Sequence, residues 1–239
     1  MTSAGVVGVL GGMGPLATLD FLRKMLENTP AVRDQDHVPV VVSSIPQIPD
    51  RTAAYRGEGE SPLDSMVASG RRVVAAGAGL IVIPCNTAHL WFDPVQAALG
   101  LPMLHLVDAA LAEARAQIGA AARLGLLATD ATLASNLYGS RSHVDVQWVL
   151  PTATEMRERL MPGIAAVKAG DLERAATLLQ ELAQALAQRG AQAIVLGCTE
   201  IPLVLGARHA PVPLIDATAA LARRAVAWSM AQRRAAAGA

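Results

Sequence analysis

The sequence predicts an α/β protein made of two similar, pseudo-symmetric halves, each a parallel sheet flanked by helices. Two observations carry this reading. Short, continuous apolar runs rich in β-branched residues alternate with Ala/Leu/Arg-rich helical stretches from end to end, and three landmarks recur in the same order in each half. A strand covered on both faces reads as an unbroken apolar run, and a helix between successive strands suits parallel pairing.

The elements follow in order along the chain. A first apolar strand is expected at 6–10, a helix over 15–29, a strand at 38–44, a helix over 62–78 and a strand at 80–84. A strand at 103–107 then leads into a helix over 108–118. The second half opens with strands at 124–129 and 144–149, continues through a helix over 172–189 and a strand at 193–197, and closes with a strand at 212–215 and a helix over 217–234.

The repeat lies in the details. Gly8-Val9-Leu10-Gly11-Gly12 resembles Gly125-Leu126-Leu127-Ala128-Thr129, and Leu80-Ile81-Val82-Ile83-Pro84-Cys85-Asn86-Thr87 resembles Ala193-Ile194-Val195-Leu196-Gly197-Cys198-Thr199-Glu200. Downstream, Leu101-Pro102-Met103-Leu104 up to Asp108-Ala109 matches Ala210-Pro211-Val212-Pro213 up to Asp216-Ala217. Three landmarks in register imply a duplicated domain, with a period too long for a solenoid. The expected division is 1–107 with 212–239 as the first domain and 108–211 as the second.

Bulk composition removes several classes of function. The 239 residues are 52% hydrophobic and 17% charged, which places the chain among globular proteins rather than disordered ones. Twenty basic residues balance twenty acidic ones and aromatic residues are only 3%, so nothing favours a nucleic-acid partner. No uninterrupted apolar run approaches the length of a membrane span. The start of the chain has no basic n-region, so a cytoplasmic protein is expected. In that compartment two distant cysteines are poor material for a structural disulfide. Lys24 and Lys168 stand against eighteen arginines, which leaves little material for a pyridoxal Schiff base. His37, His89, His105, His143 and His209 lack metal-ligand spacing. Neither a cofactor nor a metal is expected.

Chemistry is expected at the cysteines. Each ends an apolar strand and is followed by polar residues, at the strand end where parallel α/β sheets bind ligands. Pseudo-symmetry would bring Cys85 and Cys198 to opposite walls of one interdomain cleft. That arrangement suits inversion of a carbon centre, one group taking a proton from one face while another delivers one to the other. A helix N-terminus or a nearby cation would lower each thiol from its usual value of about 8.5 toward neutrality. Asn86, Thr87 and Thr199 offer amide and hydroxyl groups for an α-carboxylate. Glu200 is either a helix-start charge or a group acting on Cys198, and His89 either tunes Cys85 or caps and packs.

Three motifs carry a resemblance: Gly11-Gly12-Met13-Gly14-Pro15-Leu16-Ala17-Thr18, Pro84-Cys85-Asn86-Thr87-Ala88-His89 and Gly197-Cys198-Thr199-Glu200-Ile201-Pro202-Leu203. Together they span nearly the whole chain, and on them the sequence resembles the aspartate/glutamate racemase family, its aspartate racemase branch in particular. The resemblance implies a pyridoxal- and metal-independent racemase of an acidic amino acid, aspartate first and glutamate second. It implies a two-base thiol/thiolate mechanism and a homodimer. It also places Met13 of the first motif in the substrate-binding set, assigns Arg51 and Lys168 to the side-chain carboxylate, and sets Thr129 at the Leu-Ala-Thr strand end. The glycine usual after that threonine is absent, leaving Asp130-Ala131-Thr132. Dedicated glutamate racemases differ, with Asp-Ser-Gly in place of the first Gly-Gly-Met-Gly and a histidine in place of Glu200.

Competing readings share these residues. Gly12-Met13-Gly14-Pro15-Leu16-Ala17 fits the dinucleotide pattern G-x-G-x-x-A, but the second strand runs into Ser43-Ser44 without the expected acid. Arg51 follows Pro49 on what reads as a rigid loop, and 51–61, with Gly57 and Gly59, reads as a lid. The alternatives are a two-cysteine racemase or isomerase with another substrate, such as a hydantoin, a non-catalytic amino-acid-binding regulator, and a thiol redox sensor. Substrate turnover by the wild type, compared with Cys85→Ser and Cys198→Ser, separates them.

Overall fold

In a computed structural model, residues 4–120 and 122–238 are described. Among the described residues eight strands form two four-stranded, wholly parallel sheets. The first holds β1 (Val7–Gly11), β2 (Val40–Ser44), β3 (Leu80–Val82) and β4 (Met103–Leu104) in the order β2-β1-β3-β4. The second holds β5 (Arg123–Ala128), β6 (Gln147–Val149), β7 (Ala193–Gly197) and β8 (Leu214–Asp216) in the order β6-β5-β7-β8. Each sheet therefore places its second strand outermost beside its first, then its third and fourth. This repetition of order is the structural counterpart of the sequence repeat.

The central strands β1, β3 and β7 are buried throughout and β5 is buried beyond Arg123, which is why they read as unbroken apolar runs. Outer strand β2 is only partly covered, with Val42 exposed and Ser43 buried. The helices are α1 (Pro15–Asn28), α2 (Arg51–Arg56), α3 (Leu63–Ala75), α4 (Phe92–Leu99), α5 (Leu106–Ile118), α6 (Asp130–Ala134), α7 (Ala153–Glu155), α8 (Met161–Ala169), α9 (Leu172–Gln188) and α10 (Ala217–Ala237), with a π turn, Met156–Leu160, joining α7 to α8. Helix α9 shows how the pattern works. Leu179, Leu182, Ala183 and Leu186 recur at i, i+3, i+4 and i+7 and are fully buried. Each leucine there contributes about 1.5–3 kcal/mol of transfer free energy, and Leu182→Ala would cost about 2–5 kcal/mol once the cavity is included.

The chain divides into two compact units. One runs up to Leu106 and resumes at Thr218, and the other is Val107–Ala217. Return to the first unit thus falls at Ala217/Thr218 rather than at residue 212. The reason is β8, whose Leu214, Ile215 and Asp216 pair with Ile194, Val195 and Leu196 of β7 in the second sheet.

Other expectations need correction. The strand expected over 103–107 stops at Leu104, because Leu106 already starts α5. Residues 144–146 precede β6 in a turn in which the Val146 N–H donates to the His143 carbonyl, and Val144 is exposed. Residues 51–56 are helical rather than a loop. The Asp50 carboxylate accepts from the Thr52 and Ala53 N–H groups at 2.8 and 2.9 Å, and Gly57 (φ 74°) closes the C-terminus.

Candidate active site

In the first unit, β1, β2 and β3 deliver three turns to the carboxyl end of the sheet. Val9 pairs with Val82, so continuing that register sets Gly12 level with Cys85. Gly12 (φ 91°) is obligatory there, since a Cβ would lie 2.4 Å from the Ile45 nitrogen. Its N–H donates to Thr18 Oγ1 at 2.9 Å, and that hydroxyl donates to the Gly14 carbonyl at 2.9 Å. The Gly12 donor is thereby engaged within the turn, which adds a physical reason against a dinucleotide phosphate there. Met13 is buried in one apolar cluster with Cys85, Ile48 and Ile83.

Cys85 is a buried thiol 6% exposed. Asn86 and Thr87, both buried, enter a short 3-10 turn, Thr87–Trp91, before α4. His89 braces this segment. Its Nε2 accepts from the Leu106 N–H at 3.0 Å, so its proton sits on Nδ1, which donates to the Cys85 carbonyl at 2.8 Å. The ring stacks on Phe92 and meets His105 edge-on. With both nitrogens engaged to backbone, His89 positions the cysteine turn.

Arg51 is the first residue of α2. Its Nη1 donates to the Ile48 and Pro49 carbonyls at 3.0 and 2.9 Å, while its buried Nε has no hydrogen-bond partner among the described residues. The guanidinium is therefore aimed by its own turn rather than by a loop.

In the second unit Ala128 pairs with Gly197, so Thr129 and Cys198 leave the sheet side by side. Thr129 caps α6: its Oγ1 accepts from the Thr132 N–H at 3.3 Å and donates to Thr132 Oγ1 at 3.0 Å. Cys198 is 5% exposed, and its thiol donates to Glu200 Oε2 at 3.0 Å. Thr199 Oγ1 donates to the same oxygen at 3.3 Å.

Burial pushes the Cys198 thiol well above its usual value, and the charge and hydrogen bond of Glu200 push it further. The Lys168 charge acts in the opposite sense and is outweighed. This overturns, for Cys198, the expectation of a thiol lowered toward neutrality. The reason is local: Cys198 is followed by a three-residue 3-10 turn, Ile201–Leu203, rather than by an α-helix with a substantial dipole. Lys168 itself is exposed in the last turn of α8.

One resident of this site was missed by sequence reasoning. Tyr138 is 1% exposed, and its phenol is pushed up first by burial and then by its electrostatic interactions with Cys198 and Asp216. It lies in an irregular stretch after α6, where no periodicity announces a buried aromatic ring. Among the described residues, no three His, Cys, Asp or Glu side chains converge as a metal ion would require. Among the same residues no helix is long and apolar enough to cross a membrane.

The site thus consists, in each unit, of a buried thiol at the carboxyl end of the third strand, beside the turn that follows the first. Comparison with known proteins places the chain as a whole. Residues 10–225 match the Asp/Glu/hydantoin racemase family. The chain belongs to that family and is an amino-acid racemase in class. It is 28% identical over 233 residues to the broad specificity amino-acid racemase RacX of Bacillus subtilis, covering 95% of this chain and 99% of that one. It is 30% identical over 236 residues to a glutamate racemase of Deinococcus radiodurans, covering 92% and 73%. Among solved structures, Picrophilus torridus aspartate racemase superposes with a TM-score of 0.84 at 30% identity, covering 94% of each chain. The Francisella tularensis glutamate racemase, at 16% identity and a TM-score of 0.62 over 96% of this chain and 82% of that one, shares the fold.

Proposed function

We propose that this racemase interconverts the L- and D-forms of an acidic amino acid, aspartate before glutamate, by a two-base thiol mechanism that needs no cofactor. The observation that carries the proposal is the equivalence of the two cysteines, each in the turn that leaves the third strand of a sheet with the same strand order, Cys85 three residues past β3 and Cys198 directly after β7. Similarity to the Picrophilus torridus aspartate racemase supports aspartate as the first substrate.

In one direction the Cα–H bond breaks and its proton passes to the Cys85 thiolate. The carbanion takes a proton from the Cys198 S–H on the opposite face, leaving a Cys198 thiolate. In the other direction the roles exchange. Glu200 makes the exchange workable: it holds the Cys198 thiol in a hydrogen bond and can accept its proton, giving thiolate and carboxylic acid. Asn86, Thr87 and Thr199 provide polar groups for the α-carboxylate, with Met13 and Thr129 in the turns beside the thiols. Arg51 and Lys168 receive the side-chain carboxylate, and the open Nε of Arg51 supports its part. Stabilising the carbanionic transition state is the main demand on these groups.

A homodimer in the cytoplasm completes the reading. Leu16, Leu19 and Leu26, 46%, 63% and 57% exposed on α1, support self-association.

The test is proton NMR of L-aspartate and L-glutamate in D2O with the purified enzyme and no added cofactor. Loss of the α-proton signal with appearance of the D-enantiomer is expected, faster for aspartate, and neither Cys85→Ser nor Cys198→Ser should invert either substrate. Inversion surviving in either variant would rule out the two-thiol scheme, and faster turnover of glutamate or a neutral amino acid would reassign the substrate.

A further inference from the structure

A cavity of about 370 Å³ opens in the second unit, far from its cysteine. Its floor is apolar: Leu111 and Ala114 of α5, Leu124 at the start of β5 and Val146 just before β6. It therefore lies at the amino end of the second sheet, whereas Thr129 and Cys198 leave the carboxyl end. The six residues of β5 put roughly 20 Å between the two ends.

The rim carries one uncompensated charge. Arg141 is held by Asp108 through two hydrogen bonds of 2.6 Å, Nε to Oδ1 and Nη2 to Oδ2, which neutralises it. His143 faces Asp145 at 3.1 Å. Arg115 has no ion-pair partner among the described residues and stands on the last turn of α5 beside the opening. An apolar floor beneath one orienting polar group is the usual make-up of a small-ligand pocket, and the volume lies within the range of such sites, about 300–1,000 Å³.

We propose that this cavity is a second ligand site, separate from the cysteine site, for a monocarboxylate with a compact apolar body. The carboxylate pairs with the Arg115 fork and the apolar body covers Leu124 and Val146. A second carboxylate is disfavoured because Asp108 and Asp145 already flank the rim. That separates the ligand class from the acidic amino acids proposed for the cysteines, and the site stands whether or not their assignment does.

The structure supplies a reporter. Trp148 Nε1 donates to Ser142 Oγ at 3.3 Å, and Ser142 lines the cavity. Benzoate is the probe, titrated into the ¹⁵N-labelled full chain while the Trp148 indole signal, assigned with Trp148→Phe, is followed. A saturable shift at millimolar benzoate is expected, preserved in the Cys85→Ser/Cys198→Ser double variant and weakened roughly tenfold or more in Arg115→Ala. Succinate should bind more weakly than benzoate. Arg115 is exposed, so its truncation leaves the fold intact, which circular dichroism checks. Absence of a saturable shift, full retention of binding in Arg115→Ala, or loss of binding in the double cysteine variant would overturn the proposal.

Discussion

The Cys198 thiol donates a 3.0 Å hydrogen bond to the Glu200 carboxylate, two residues further along the same turn. Burial first, and then this contact, push the Cys198 thiol well above its usual value. A base next to an acid is useful only if the proton can cross between them, and the turn holds both groups buried at hydrogen-bond distance.

Glu200→Gln should therefore lower the pH at which Cys198 ionises, because the amide keeps an acceptor but removes the negative charge. Ultraviolet absorbance of the thiolate against pH, with Cys85→Ser as background, measures this. Turnover should fall by about 10²–10⁴-fold, the usual worth of a positioned acid–base group. Since the equilibrium constant of a racemisation is one, kcat/KM must fall equally in both directions. An unchanged thiol titration would remove Glu200 from the mechanism.

The raised Cys198 value also makes stability depend on pH. An unfolded thiol ionises near pH 8.5, so above about that pH the folded chain keeps a proton that the unfolded chain has lost. The stabilisation is present in full below this point and is lost as pH rises toward the folded value. The urea midpoint of the wild type should drop above about pH 8.5, and drop less in Cys198→Ser. Equal slopes in the two proteins would assign the effect elsewhere.

Arg51→Lys tests the proposed carboxylate anchor. A lysine cannot hold the Ile48 and Pro49 carbonyls and also present a fork to the substrate. KM for aspartate should rise roughly 10- to 100-fold, as expected for lost hydrogen bonds to a charged group, with a smaller change in kcat. An intact KM would return Arg51 to a purely structural role.

His89→Ala should destabilise the first unit, because it leaves the Cys85 carbonyl and the Leu106 N–H without their imidazole partner. Each buried group so orphaned costs about 1–3 kcal/mol. Urea denaturation measures the loss. A variant as stable as wild type would show that other groups or water satisfy those atoms.

Much of the fold is legible in the sequence, and the features that are not have physical reasons. The central strands and the long helices announce themselves by burial and period, and the paired cysteines by repetition. Residues 51–56 read as loop because Pro49 and two glycines bracket them, although Asp50 is a strong cap in plain view. Helix α6 is a single capped turn, too short for any period to emerge. His89 could not be resolved between tuning and bracing, because its deciding partner, Leu106, lies seventeen residues away and meets it only in the fold. The lowered thiol expected at Cys198 failed for a related reason. A strand end followed by polar residues looks like a helix start, and the short turn actually formed there carries little dipole.

The return of the chain to its first unit bears on how the molecule is made. Ser229 of α10 donates to the Gly5 carbonyl, and Arg233 reaches the carbonyls of Gln35, Asp36 and His37. These residues leave the ribosome only after the whole of Val107–Ala217. The second unit can therefore close during synthesis while the first, begun earlier, waits for its last helix. Order of translation and order of completion are inverted, and the unit carrying Cys85 is the one exposed to proteases and chaperones for longer.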